Sequence, residues 1–423
     1  ISGALKESKV SSVFASSNHA DGVGGGIAVA RSNNAGKSSF TVNSGAKIEK
    51  NYAGSDGGGF YADTNIQLVW NEAEASENIA QQNGGGIALS NGSLFFGASG
   101  GGVVARNMAY KIGGGVFASS SQLITRQGKI VENYASMGGG VGAEDAVLKN
   151  TDNTSSAIIA MNVAGAGGGL ALKNVNLEVL YLQVKGNTAL SYGIEKSDLS
   201  GLPQLVFGDK NSSIVPGNNT WSKAAKSNYK NVFVRAASPP GADSTLQYDY
   251  FKTVQKSRTS ASIGGLGGGI YATGHLHWLL SNSSDDLIIE SNRAHFGGGV
   301  YINSPSNGSH IASLAIRKNN ATYIKNVDQS ASSDIPEGGG LFLSGAEKIL
   351  FQRLNVEENR LEDPQEGANE LDLAINGGGM AMDMSSNVQL EQSTFKQNIG
   401  TKGGALHVSS SKSLRITESN FVL

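Results

Sequence analysis

The chain reads as an all-β protein: a right-handed parallel β-helix, or solenoid, with one non-repeat insertion. Three observations predict this. Gly triplets recur along the 423 residues. An Asn stands five or six positions before most of them. A short run of alternating apolar and polar residues follows them.

The triplets begin at 24, 57, 84, 113, 138, 167, 267, 297, 338 and 377, with a Gly-Gly-Ala variant at 403. A triplet at 100–102 falls off the series. Steps run from 25 to 41 residues, apart from one of 100. The upstream residues are Asn18, Asn51, Asn78, Asn107, Asn133, Asn162, Asn292 and Asn398. Three positions earlier the residue is usually apolar (Ile48, Val104, Ile130), and two positions later it is usually Ala (Ala53, Ala80, Ala109). Asn187-Thr188-Ala189 is a decayed copy, while Asn319 and Asn359 belong to copies with long inserts before their triplets.

Each element has a physical reason. Alternation such as Phe60/Ala62 or Leu341/Leu343 marks half-buried strands rather than helices. A second apolar run, as in Leu94-Phe95-Phe96, often follows about ten residues on, so each unit should hold two or three short strands. A unit this small buries its apolar face only by stacking on copies of itself. About twelve rungs at ~4.8 Å make a rod of roughly 55–60 Å. The glycines suit corners that need positive φ and close backbone approach. Asn tolerates the left-handed region, and its amide can bond the same Asn one rung on. Asn51, Asn78, Asn107, Asn133, Asn162, Asn292 and Asn398 are therefore expected to form an inward ladder.

Residues 1–195 and 263–423 form two blocks of rungs, and the last repeat is incomplete. Residues 196–262 break the pattern. Pro203, Pro216, Pro239 and Pro240 fall there, with Trp221, Tyr229, Tyr248, Tyr250 and Phe251. This is too aromatic for a simple linker, so a folded excursion from one side of the rod is expected, interrupting the stack of triplets. Inserts at 321–337 and 360–376 read as loops.

Composition excludes several classes. Gly is 58 and Pro 7, but Gly comes in runs rather than every third residue, which rules out collagen. Cys is 0, so there is no disulfide framework and no Cys-based zinc site. A net charge of −2 carries no footprint for nucleic acid. No stretch reaches the ~18 apolar residues of a membrane helix. The chain starts at Ile1 without a leader pattern, as expected of a processed product or a piece of a longer chain.

Phe395-Lys-Gln-Asn398 followed by Gly403-Gly404-Ala405-Leu406 resembles the FxxN and GGA(I/L/V) repeats of the chlamydial polymorphic membrane proteins. The other units depart from that family, with Ile or Val for Phe and GGG for GGA. The resemblance covers residues 10–195 and 263–423. It implies the exported passenger of an autotransporter, a surface adhesin located outside the cell. No strand pattern of that family's C-terminal membrane barrel ends this chain.

The expected function is a non-enzymatic, surface-exposed rod presenting an interaction face. The alternative is a structural building block of an extracellular filament or coat, assembling with its own copies. A polysaccharide-degrading β-helix enzyme is the third reading. Its pieces would be Asp152, the pair Asp285-Asp286 and His275. The two acidic pieces lie about five rungs apart, some 20–25 Å. Inverting glycosidases need carboxylates roughly 6.5–9.5 Å apart. His275 and His277 share a strand face near His310, but no carboxylate stands at ligand spacing. No catalytic residue, cofactor or metal is therefore expected. Sequons, among them Asn91 and Asn307, are as frequent as chance gives.

The outward residue after a triplet is aromatic in Tyr61, Phe117, Tyr271, Tyr301 and Phe342. These five form the candidate contact face, for a protein, a glycan or another copy. The plainer reading is an aromatic ladder that only stabilises the sheet.

Overall fold

The computed structural model describes residues 7–30, 37–97, 99–150, 157–179, 181–189, 265–278, 287–322, 337–362 and 376–422. All regular structure among them is β-strand, arranged as a parallel β-solenoid. The chain coils through four strands per turn. The first turn uses Glu7–Val10, Phe14–Ser16, His19–Ala20 and Ile27–Val29; the second uses Ser38–Val42, Lys47–Glu49, Tyr52–Ala53 and Phe60–Ala62. Among the described residues, equivalent strands stack into four parallel sheets of 12, 12, 10 and 11 strands.

The count of four corrects the expected two or three. The third sheet holds strands of two to four residues, such as Tyr52–Ala53 and Tyr134–Met137. Runs that short leave no period in a sequence. The fourth strand begins at the Gly triplet, as expected: Ile27, Phe60, Ile87 and Val116 are register partners in successive turns.

The expected interruption of the stack is also corrected. Across the 100-residue step, Leu170 pairs with Ile270 and Val184 with Ile289. Gly168 N–H donates to Gly267 O at 3.2 Å. The sheets run through without a break. Residues 190–264, and with them the 196–262 excursion, lie outside the described residues, as do most of 321–337 and 360–376.

Inward positions fill one continuous core. Ile66–Trp70 shows the rule: Ile66, Leu68 and Trp70 are buried, while Gln67 and Val69 are half-buried. Trp70, Trp278, Phe60, Phe96, Phe351 and Phe395 are its largest fully buried side chains. Each turn offers its apolar face to the next, and area removed from water supplies the drive for stacking, about 25 cal/mol per Å².

Corners depend on left-handed residues. The first glycine of each triplet in the regular series has positive φ, as in Gly113 at 70°. Between the second and third sheets the left-handed residue is the one before the Asn, not the Asn itself: Lys50, Glu77, Arg106 and Glu132 have φ of 54° to 56°. Their side chains lie on the outside, where charge alternates up the stack. Arg106 reaches Glu77 at 3.5 Å and Glu132 at 3.9 Å.

Candidate contact face and the ladder beside it

The Asn ladder starts from a corner that turns the side chain inward. Asn51, Asn78, Asn107, Asn133, Asn162 and Asn292 are all at most 1 % exposed. Each amide is held from both sides. Asn107 Nδ2 donates to Asn133 Oδ1 at 3.0 Å and to Ala75 O at 2.9 Å. Its Oδ1 accepts from the backbone N–H and Nδ2 of Asn78, both at 2.9 Å. Both amide protons and the oxygen are thus satisfied in a dry site, as burial demands. Asn398 stands half-buried at one end, its Nδ2 donating to Val356 O. Asn18 stands at the other, donating to Asn51.

Three members lay outside the expected set. Asn187, Asn319 and Asn359 are fully buried and continue the ladder from Asn162 through Asn292 to Asn398. Asn187 is no decayed copy. The signal for all three was the apolar residue three positions before, Val184, Ile316 or Val356, whose equivalents carry the carbonyls the ladder uses.

The aromatic residues occupy the middle of the fourth sheet's strands. Tyr271, Tyr301 and Phe342 are partners in successive turns. Their rings stack, with centroids 5.7 Å and 5.2 Å apart and interplanar angles of 17° and 30°. Phe117 lies further down the same column, separated from Tyr271 by Gly142 and Ala171; Tyr61 lies beyond Ala88. They are not equally exposed. Phe117 and Phe342 are 9 % and 6 % exposed, whereas Tyr61, Tyr271 and Tyr301 are half-buried. Burial, then the neighbouring Tyr271 ring, push the Tyr301 hydroxyl up to about 12. Burial likewise raises the Tyr61 hydroxyl, helped by Asp63 and Asp56.

A second column covers part of the first, and sequence reading missed it. The residue before each triplet bridges to its equivalent one turn on: Asn83, Ile112 and Met137, then Ala166, Leu266, Phe296, Glu337, Asn376 and Lys402. Phe296 packs on Phe342, with centroids 5.4 Å apart. A Cβ at Gly142 would collide with Ile112 Cγ2, so the isoleucine fills the place of the missing side chain. The two columns form one apolar stripe through the middle turns. It passes into polar pairs at both ends, Asp56–Asn83 and Glu337–Asn376. Residue identity at these positions varies from turn to turn, so only the register reveals the column.

The other candidates stand apart. His277 is the register partner of His310, and the ring centroids of His275–His277 and of His277–His310 are each 6.4 Å apart. Burial, with His277 and Arg353, holds the His310 ring below its usual range. Among the described residues no group of three or more His, Asp or Glu could hold a metal ion. Asp152, Asp285 and Asp286, the acidic pieces of the enzyme reading, lie outside the described residues. No described helix is long and apolar enough to cross a membrane. No protein-family model, no curated protein and no solved structure matches this chain.

Proposed function

We propose that the protein is a non-enzymatic rod at the cell surface whose fourth sheet presents the contact face, in the manner of an adhesin passenger. The observation that carries this reading is the apolar stripe along the outside of successive turns. Half-buried Ile112, Met137, Leu266, Phe296, Tyr271 and Tyr301 stand on an outer face whose neighbours are polar. Contiguous outer apolar surface favours a partner. Aromatic residues anchor contacts because they combine area with small entropy loss.

The ring geometry narrows the partner. Tyr271, Tyr301 and Phe342 spend their faces on one another. Sugars stack on ring faces, so the stripe suits a protein surface better than a glycan. Replacing Tyr61, Tyr271 and Tyr301 together by Ser leaves buried Phe117 and Phe342 in place. The triple variant should keep its far-ultraviolet circular dichroism and lose binding to surface-protein extracts. Binding that survives would sink the reading. Sedimentation of the purified chain separates the alternative, a filament or coat unit, which requires association that the same three substitutions abolish.

A further inference from the structure

In the column that precedes the triplets, Glu337, Asn376 and Lys402 follow one another in three successive turns. Backbone bonds lock this order. Gly338 N–H donates to Asn376 O at 3.0 Å, and Gly377 N–H to Lys402 O at 2.8 Å. Asn376 is 8 % exposed. Its Nδ2 donates to Glu337 Oε1 at 2.8 Å, while its Oδ1 is buried with no partner. Such an orphan acceptor is costly and calls for an explanation. The setting is apolar on the near side, where Phe296 is the register partner of Glu337 and leans on Phe342. Lys402 is exposed, and its four-methylene stem is long enough to span the ~4.8 Å between turns.

We infer that Lys402 and Asn376 are placed to join through a side-chain isopeptide bond, with Glu337 moving the protons. In its free-amine form, Nζ of Lys402 attacks Cγ of Asn376. The Nζ–Cγ bond forms, the Cγ–Nδ2 bond breaks, and Nδ2 leaves as ammonia. One amine and one primary amide become one secondary amide and one ammonia, so no oxidant or cofactor is needed. Glu337 takes a proton from Nζ and returns one to the departing Nδ2, ending as it began. Burial pushes its carboxyl up, against the Asn376 hydrogen bond and His407 and with Asp383. When protonated, it can donate to Oδ1 once the Asn376 amide turns over, which satisfies the orphan acceptor.

The competing nucleophile is engaged. Asn376 precedes Gly377, a pair prone to succinimide formation, but the Gly377 N–H is tied to Lys402 O in the stack. A natural control lies at the other end of the stripe. Asn83 donates to Asp56 Oδ1 from both its backbone N–H and Nδ2, and its Oδ1 is likewise buried without a partner. Its next register partner, however, is Ile112, and the adjacent Lys111 Nζ donates to Gln82 Oε1. With no amine in the column, that pair should stay unlinked.

Intact-mass measurement of the full chain after days at neutral pH tests this. The wild-type mass should fall by one ammonia, and tryptic digestion should release the Asn376 and Lys402 peptides as one branched product. Lys402→Arg keeps the charge at an exposed site, so it folds, and it should retain the full mass. Glu337→Gln keeps an acceptor for Asn376 Nδ2 and should slow the loss on the order of 100-fold. A wild-type chain that retains its full mass overturns the proposal. So does ammonia loss that persists in Lys402→Arg, which would mark a succinimide at Asn376–Gly377.

Discussion

One amide per turn decides how well the second and third sheets stay joined, and its worth depends on its place. Asn107 accepts two bonds from Asn78 and gives two, all in a fully buried site. Asn107→Leu would strand two donors on Asn78 and leave the acceptors of Ala75 and Asn133 short. At about 1–3 kcal/mol per stranded group, the loss should reach about 3–5 kcal/mol in urea titration. Asn18 is exposed and, in the first described turn, accepts no bond from a preceding one, so Asn18→Ala should cost under about 1 kcal/mol. Equal costs would mean that the ladder acts only through packing. Tyr301 adds a pH signature. Its folded hydroxyl titrates at about 12, above the ordinary value of 10.0. The folded state therefore holds a proton that the unfolded chain has released, and stability falls as pH rises from about 10 through 12. A shift of that size amounts to at most about 2–3 kcal/mol. Tyr301→Phe should flatten that part of the curve; an unchanged slope would assign it to other groups.

At the scale of the element, the Gly triplet is where two turns come closest. A Cβ on Gly115, the third glycine of its triplet, would lie 2.7 Å from Gly140 O and 2.9 Å from Asn133 Nδ2. Gly115→Ala must push the next turn's carbonyl and ladder amide together, for about 2–3 kcal/mol in the same assay. Gly22→Ala meets nothing within 4 Å and should be neutral. The triplet and the Asn were legible in the sequence because each answers a constraint that only one or two residue types satisfy. The left-handed residue before the Asn was not. Ser17, Lys50, Met161 and Gln397 all occupy it, since their side chains project outward and any short-range strain is outweighed by the stack. Asn187 escaped for a different reason: its triplet is Gly267, and the chain between hides their pairing. The column before the triplets was invisible because bridging is done by backbone, which leaves the side chain free to vary. That left half of the stripe, and the Glu337–Asn376–Lys402 series, to be found only in three dimensions.

For the whole molecule, the question is whether the long insertion is part of the solenoid or an attachment to it. The turn that carries it gives a direct comparison with its neighbour. One turn earlier, the path from ladder to triplet is Asn162-Val163-Ala164-Gly165-Ala166-Gly167. Around the insertion it is Asn187-Thr188-Ala189, then Gly265-Leu266-Gly267. Removing residues 190–264 would rebuild the neighbour's spacing residue for residue. The two ends already sit where the shorter path needs them. Thr188 pairs with Val163, Leu266 bridges Ala166, and Gly265 N–H donates to Gly165 O at 2.7 Å. Two and three turns later, connections of differing length also stand at this corner, between Asn320–Thr322 and Glu337 and between Arg360–Glu362 and Asn376. Nearest-neighbour stacking makes stability a sum over turns, and that sum is unchanged by the deletion. Removing the loop's closure entropy adds roughly 2–4 kcal/mol at most. The shortened chain should therefore fold, melt in one transition, and do so at or above the temperature of the full chain. A deletion variant that fails to fold would show that residues 190–264 complete the core rather than decorate it. One that folds would let binding by the stripe be measured without the insertion, and so assign the contact to one or the other.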